Sequence, residues 1–190
     1  GNQASDGVSI ENHIGKKAQI TANSLSTISA MPKSALSAYI VEIGSVGDSN
    51  FIKNWSGREP GIEWGNKGTK RWSSTEAHLI LPVTPGKEYS ISMESYIPRY
   101  AITPDSGIYL GKKCIARINK EGLNSLSGII PPSKTSKITL DIKCKIWIPK
   151  VVQTGNMDSR KLGISLKSVL MRVKGSNNPL YVVNTGDIRK

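Results

Sequence analysis

The sequence predicts an all-β protein, a single antiparallel β-sandwich of the jelly-roll type, on three observations. Residues 136–148 carry an apolar side chain or Cys at every even position from Ile138 to Ile148, with mostly Lys, Thr or Asp between them. This alternation is typical of a strand with one buried face. Other short apolar runs are separated by turn-forming Pro, Gly, Asn and Asp, and no long stretch follows a 3.6-residue period.

Five further segments complete the predicted sheets. In chain order they are residues 77–83, 89–96, 113–118, 162–173 and 180–183. The first of them ends at the turn-forming residues 84–87, Thr-Pro-Gly-Lys. The fourth alternates over most of its length but slips near Leu170, where we expect a β-bulge.

The rest of the chain is less regular. Residues 24–41 are rich in Ala and Ser and are broken by Pro32, which favours one short helix there. Residues 1–50 and 98–111 show no pattern that places them in the sandwich. Because no internal repeat or low-complexity linker occurs, and 190 residues suit one domain, we expect a single domain over residues 1–190.

Charge is distributed unevenly along the chain. There are 26 basic and 14 acidic residues, which gives a formal net charge of +12. Residues 1–95 hold equal numbers of both signs, so the whole excess falls in residues 96–190. Such asymmetry favours a polyanionic partner, namely nucleic acid, an anionic glycan or a lipid headgroup surface. The alternative is a solvated surface that keeps the domain soluble.

Several functional classes lack their residues. Two Cys and two His are too few for a disulfide-dense scaffold or a four-thiolate zinc site. No apolar run is long enough to span a membrane and Gly1 opens no signal-peptide pattern, so we expect any such signal to lie outside this chain. The nucleophile elbow, the phosphate-binding loop and the zinc-protease motif are absent. Only Glu59 and Glu63 are close enough to act as paired carboxylates, and we predict no enzyme, no metal and no cofactor.

The two cysteines admit two interpretations. Cys114 shares a strand face with Ala116 and Ile118, and Cys144 shares one with Ile142, so both point toward a core. A free thiol behaves there as a small apolar group. If the two strands are neighbours, Cys114 and Cys144 form one disulfide, which an extracytoplasmic setting permits.

Tryptophans are the strongest candidates for ligand contact. Trp55 and Trp64 flank a polar, Gly-rich loop, where burial in the core is less natural than stacking on a sugar ring. Trp72 suits either core packing or a sugar-stacking platform. Trp147 lies out of phase with its apolar neighbours, so we expect it to face away from their side and to cover a second interface or line a groove beside the neighbouring lysines.

Two ion pairs are predicted around these aromatic residues. Glu59 and Arg71 form a bidentate pair if the loop of residues 61–68 brings them together. Asp158 and Arg160 form either an exposed functional pair or a structural tie before the last long strand. The predicted ligand-binding residues are therefore Trp55, Glu59, Trp64, Arg71, Trp72 and Trp147.

Two segments carry a resemblance to a known family. Residues 57–91 contain a Glu, a Gly-rich loop, Arg71-Trp72-Ser73 and an apolar strand that ends in Leu-Pro. Residues 156–169 contain the sequence Asp158-x-Arg160-x-Leu-Gly. In this order they resemble the β-sandwich (jelly-roll) accessory domains of bacterial cell-surface polysaccharide glycosyltransferases and phosphoglycerol transferases. The chain departs from the family at Asn119, which is followed by Lys rather than Gly.

The resemblance, which spans residues 55–175, implies a non-catalytic module that binds or positions envelope glycan. The partners would be an anionic polysaccharide and a membrane enzyme in the same or a partner chain, in an extracytoplasmic location. One alternative is a single jelly-roll viral capsid subunit with a basic surface facing nucleic acid, although residues 1–15 lack the basic arm usual in such proteins. The other alternative is a purely structural accessory domain.

Overall fold

The computed structural model describes residues 31–183 and 187–189 and confirms the predicted all-β class. The strands are β1 (Ala38–Glu42), β2 (Ile52–Trp55), β3 (Glu59–Pro60), β4 (Thr69–Pro82), β5 (Tyr89–Ile97), β6 (Gly107–Leu110), β7 (Lys113–Arg117), β8 (Gly122–Ile130), β9 (Lys137–Lys143), β10 (Ser165–Val173), β11 (Leu180–Val182) and β12 (Asp187–Arg189). This part of the chain also has one α-helix, α1 (Pro149–Val152), and short 3-10 helices at Lys33–Ser37, Asp48–Phe51, Ile62–Trp64 and Arg99–Ala101.

The strands form a β-sandwich of two sheets. In the first sheet the order is β12-β11-β1-β10-β5-β8, and all of its pairs are antiparallel except β1 with β11. In the second sheet the order is β2-β4-β9-β6-β7, with every pair antiparallel. Two-residue periodicity then places one face of each strand toward the other sheet.

The inner faces meet in one hydrophobic core. In β5, Tyr89, Ile91 and Met93 are buried, while the residues between them are more exposed. In β9, Ile138 and Leu140 are buried in the same way, which is the alternation that the sequence predicts. These residues belong to a single cluster that both sheets supply.

One long strand joins the two sheets. The first part of β4 pairs with β3 and β10, its second part pairs with β9, and β2 pairs with both parts. Between them Glu76 has a positive φ of 53°, and Asn54 on β2, with φ 64°, donates a side-chain hydrogen bond to the Glu76 carbonyl at 2.8 Å. A residue in this left-handed region bends the strand, so β4 changes sheets at this position.

The other predicted elements agree with the structure to different degrees. Four predicted strands overlap observed ones. They are residues 77–83 with β4, 89–96 with β5, 113–118 with β7 and 180–183 with β11. A bulge is present in β10, but at Lys167 rather than near Leu170, because the register with β5 shifts between Leu166 and Ser168.

The helix predicted for residues 24–41 is largely replaced by other structure. Residues 33–37 form a 3-10 helix, and β1 begins at Ala38, where Tyr39 and Val41 are fully buried in a sheet. Tyr39 and Val41 alternate along β1 and fit one buried face of a strand. Burial of these side chains therefore favours a strand here over the helix that the Ala and Ser content predicts. Residues 24–30 of the prediction lie outside the described residues.

Candidate functional site

A cavity of about 460 Å³ lies near the junction of β4, β5 and β10. Ser165 of β10 is directly opposite Trp72 of β4 on one side and Tyr96 of β5 on the other. Residues opposite each other across a ladder share a face of the sheet. Tyr96 is half-buried and packs against the hydrophobic core, of which Trp72 is itself a member. The segment of residues 147–162 closes one side of the cavity.

Four aromatic side chains form one continuous cluster in the cavity wall. The Trp72 ring meets Tyr96 edge-on at 6.3 Å between centroids, and meets Trp147 edge-on at 5.6 Å. The Tyr100 ring is tilted by 37° against Trp147, at 5.3 Å. Trp72 and Trp147 are each 7% exposed, whereas the two tyrosines are half-buried. The tryptophans therefore support the wall, and Tyr96 and Tyr100 present more of their surface to a ligand.

Arg160 joins two carboxylates at one end of the cavity. Its Nη1 donates to Glu59 Oε2 at 2.6 Å, and its Nη2 donates to Asp158 Oδ2 at 2.7 Å. Hydrogen bonds from Arg160 hold the pKa of the Asp158 carboxyl below its usual range. The predicted Asp158–Arg160 pair is thus present in the structure, and Glu59 extends it to a group of three.

Lys70 and Glu63 form a second ion pair in the cavity wall. The Lys70 side chain is buried, and its Nζ donates to both carboxylate oxygens of Glu63 at 2.5 and 2.6 Å. The same ammonium lies 4.7 Å from the centroid of the Trp72 ring. A buried ammonium needs such partners because burial without them is costly. Glu63 is held in turn by the 3-10 helix that begins just after Gly61.

The orientation of Trp147 corrects the sequence prediction. The strand on which the prediction rested, β9, ends at Lys143, so the alternation no longer governs Trp147. Instead Trp147 forms an isolated bridge with Leu162, and its indole N–H donates to the Gly163 carbonyl at 2.8 Å. It lines the cavity that Trp72, Tyr96 and Tyr100 also line, which we call the aromatic cavity, and not the surface beside Lys143.

The predicted Glu59–Arg71 pair does not form. Glu59 is directly opposite Lys70 in the β3–β4 ladder, so Arg71 points to the other face of β4. There Arg71 binds Asp48 through two hydrogen bonds, and its Nη1 donates to the Ser56 carbonyl at 3.0 Å. Arg71 is not part of the cavity wall.

Two of the four tryptophans lie elsewhere. Trp55 packs against the core, and its indole N–H donates to the His78 carbonyl at 2.9 Å. Trp64 lies at the end of a 3-10 helix, with Lys167 Nζ 5.8 Å from its ring centroid. Neither side chain lines the aromatic cavity.

Both cysteines are free thiols, so the disulfide alternative is not realised in the structure. Cys114 lies on β7 and Cys144 follows β9, and β6 runs between those two strands. Strands that are not neighbours stand about 10 Å apart, which is beyond the reach of a disulfide. Burial raises the pKa of the Cys144 thiol to about 11.

Sequence reasoning missed several residues of the cavity. Tyr96 carried a usable signal, because it is an aromatic side chain on the otherwise polar face of the predicted strand 89–96. Tyr100 follows that strand in a segment without any pattern, and only the fold brings it to Trp147. The remaining polar wall residues come from a 3-10 helix and from loops, and they are Arg99, Glu121, Gln153 and Asn156.

Two kinds of feature are absent from residues 31–183 and 187–189. No group of three or more His, Cys, Asp or Glu is arranged to hold a metal ion there. Within the same residues no helix is both long enough and apolar enough to cross a membrane.

Comparison with known proteins gives one structural similarity. No protein-family model matches the chain, and no curated protein sequence matches it. Among solved structures, the chain is similar to the C-terminal CBM6 of LamC, a marine laminarinase from Zobellia galactanivorans, at 12% sequence identity. The match covers 71% of this chain and 98% of that chain, with a TM-score of 0.41.

Proposed function

We propose that this chain is a single-domain, non-catalytic module that binds polysaccharide in the cavity lined by Trp72, Tyr96, Tyr100 and Trp147. The observation that carries the proposal is the contact between these four rings in one wall. A cavity of about 460 Å³ lies within the size range of ligand sites, and its wall combines the aromatic rings with many polar groups.

Sugar rings fit this combination of groups. A pyranose has C–H faces that pack on aromatic rings and a rim of hydroxyls that form hydrogen bonds. Tyr96 and Tyr100 supply half-buried ring surface. Glu59, Asn156 and Asp158 lie along the same cavity and supply carboxylate and amide groups for the hydroxyls.

The carboxylates of the cavity support binding rather than catalysis. Glycoside hydrolysis needs one carboxyl group as a proton donor and a second as a base or nucleophile. Glu59 is bound to Arg160 at 2.6 Å, and Glu63 is bound to Lys70 at 2.5 Å. Asp158 is bound to Arg160 as well, at 2.7 Å. Three of the four carboxylates of the wall are thus engaged with cations, and the fourth, Glu121, has no free carboxylate beside it in the wall to complete the pair that hydrolysis needs.

We also propose the biological setting that the motifs imply. Trp72 of the first motif and Arg160 of the second both line the cavity. The proposal is that the chain acts outside the cytoplasm, beside a bacterial cell-surface enzyme that makes or modifies a polysaccharide. The enzyme would be a membrane protein in the same or a partner chain, and this module would hold its glycan.

Native gel electrophoresis with soluble polysaccharides tests the binding function. We expect the chain to be retarded by at least one of a panel that contains β-1,3-glucan, xyloglucan, galactomannan and polygalacturonate. Replacing Tyr100 by Ala removes a half-buried ring and should weaken binding at least about tenfold, since anchor residues of this kind commonly contribute that much. Tyr109→Ala is the matched control, because Tyr109 is half-buried on a different surface.

The alternatives give different results in the same experiment. Equal retardation of both variants would place binding outside the aromatic cavity. Retardation by none of the polymers would favour a purely structural domain. Assembly into large particles, with salt-sensitive binding to RNA instead of glycan, would favour the capsid alternative.

A further inference from the structure

We propose that the aromatic cavity accepts uncharged sugar residues and disfavours acidic ones. This inference rests on the proposed polysaccharide binding and narrows its substrate class. The net charge of the chain predicts an anionic polysaccharide, but a bound sugar meets the charges of the cavity wall. In that wall, negatively charged side chains outnumber positively charged ones.

Carboxylates outnumber cations in the cavity wall. The wall has four carboxylates, Glu59, Glu63, Glu121 and Asp158, and three cations, Lys70, Arg99 and Arg160. The basic excess of residues 96–190 therefore lies mainly on other surfaces. An acidic sugar would bring a further negative charge to a wall in which carboxylates already outnumber cations by one.

Arg160 is already engaged by two carboxylates of the protein. Its Nε donates to both oxygens of Asp158 at 3.0 and 3.1 Å, its Nη2 donates to Asp158, and its Nη1 donates to Glu59. Every nitrogen of the guanidinium thus faces a carboxylate of the protein. A ligand carboxylate that bound a remaining N–H of Arg160 would lie close to Glu59 and Asp158, whose negative charges would repel it.

Lys70 is engaged in the same way. Its buried ammonium contacts both oxygens of Glu63 and the face of the Trp72 ring. The third cation, Arg99, is exposed and lies over the Tyr100 ring at 5.2 Å, so solvent screens its charge. No buried cation of the described wall is left to pair with an acidic sugar.

The polar groups that remain suit hydroxyls. Carboxylate oxygens accept hydrogen bonds and do not donate them, and the Gln153 and Asn156 amides do both. Sugar hydroxyls can donate to the first and exchange either way with the second. A ligand carboxylate offers only acceptors, and it would face acceptors of the protein.

Competition in the cavity tests this inference. The chain is bound to whichever neutral polymer of the panel retards it. It is then displaced with short oligosaccharides of that polymer, or with the same oligosaccharides after oxidation of their C6 hydroxyls to carboxylates. We expect the oxidised form to be at least about tenfold weaker as a competitor, because like charges brought together at an interface are costly. Competition reports the cavity alone, so binding of the acid to basic surfaces elsewhere does not interfere.

A double variant locates the effect. Glu59→Gln with Asp158→Asn keeps hydrogen-bonding side chains in place but frees the Arg160 charge, and should reduce the preference for the neutral competitor to about threefold or less. The control is Glu76→Gln with Glu88→Gln, which changes the net charge equally at residues outside the cavity and should keep the wild-type preference. A thermal melt checks that both variants are folded.

The outcomes separate the two proposals. Equal competition by the neutral and oxidised oligosaccharides, with binding still dependent on Tyr100, would overturn the preference for uncharged sugars and leave the binding function intact. An equal change in both double variants would also overturn it, since bulk charge and not Arg160 would then decide. Retardation by polygalacturonate alone would overturn this inference and leave polysaccharide binding intact, whereas retardation by no polymer of the panel would overturn both.

Discussion

Asp48 and Arg71 form a bidentate ion pair that holds the segment before β2 against β4. Arg71 Nε donates to Asp48 Oδ2 at 2.8 Å, and Arg71 Nη2 donates to Asp48 Oδ1 at 2.9 Å. The Asp48 side chain is 1% exposed, and it also accepts the Gly44 N–H at 2.6 Å. Arg71 is thereby fixed on one face of β4, while its neighbours Lys70 and Trp72 serve the cavity on the other.

Replacing Asp48 by Asn should destabilise the fold strongly. The change leaves Arg71 without its carboxylate in a mostly buried site, and breaking such a pair costs about 3 kcal/mol of the free energy of unfolding. Urea unfolding followed by tryptophan fluorescence measures the loss. Glu88→Gln is the control, because the exposed Glu88–Lys174 pair at 3.7 Å should contribute less than about 0.5 kcal/mol. Similar small losses in both variants would contradict the expectation.

The Cys144 thiol should make stability depend on pH in mild alkali. Burial raises the pKa of this thiol to about 11 in the folded chain, whereas an unfolded Cys ionises near 8.5. Above about pH 8.5 the unfolded state therefore loses a proton that the folded state keeps. The free energy of unfolding should fall as pH rises, by up to about 1.4 kcal/mol per pH unit between pH 8.5 and 10.

Cys144→Ala provides the control for this dependence, and denaturation curves at several pH values measure it. The variant should show a flatter profile over the same range. Alkylation of the native thiol at pH 8 should also be slower than that of a free cysteine, on the order of a hundredfold, because the thiolate is the reactive form. An identical pH profile in the two proteins would rule out Cys144 as the source.

Replacing Gly163 by Ala should damage the support of the cavity. An added Cβ would meet Ser73 Oγ and also Cys144 Sγ, the latter at 2.7 Å, while Gly163 itself holds the Trp147 indole through its carbonyl. We expect a loss of about 1–3 kcal/mol, as for other overpacked sites. Thermal and urea unfolding measure it. The matched control is Gly57→Ala, where no atom lies within 4 Å of the added Cβ; a loss as large there would argue against crowding as the cause.

The sequence predicted those parts of the fold that depend on local alternation. The pattern from Ile138 to Ile142 is decided by which side chains are buried, and the structure has the same phase in β9. The prediction failed for Trp147 because the pattern itself does not mark where β9 ends. Isoleucines at positions 146 and 148 continued the alternation after the backbone had left the sheet.

The candidate site was harder to predict because its residues meet only through long-range contacts. Glu59 is 101 residues from Arg160, and the predicted site residue Arg71 is held outside the cavity by Asp48, which is 23 residues away. No local pattern in the sequence shows that Glu59 pairs with Arg160 rather than with Arg71, the partner that was predicted. The deciding fact is the β3–β4 register, which puts Lys70 opposite Glu59, and that register is a property of the folded sheet.

Because β4 carries Lys70 and Trp72 on the same strand as Leu79 and Leu81, the cavity wall and the core share one piece of backbone. Selection for stability alone would tend to preserve Trp72, whether or not a ligand is bound. Loop residues such as Glu121 line the cavity without supporting the core, since they lie at the exposed edge of the cavity. Evolution can therefore change what the cavity prefers by altering its rim, while the aromatic wall is inherited with the scaffold.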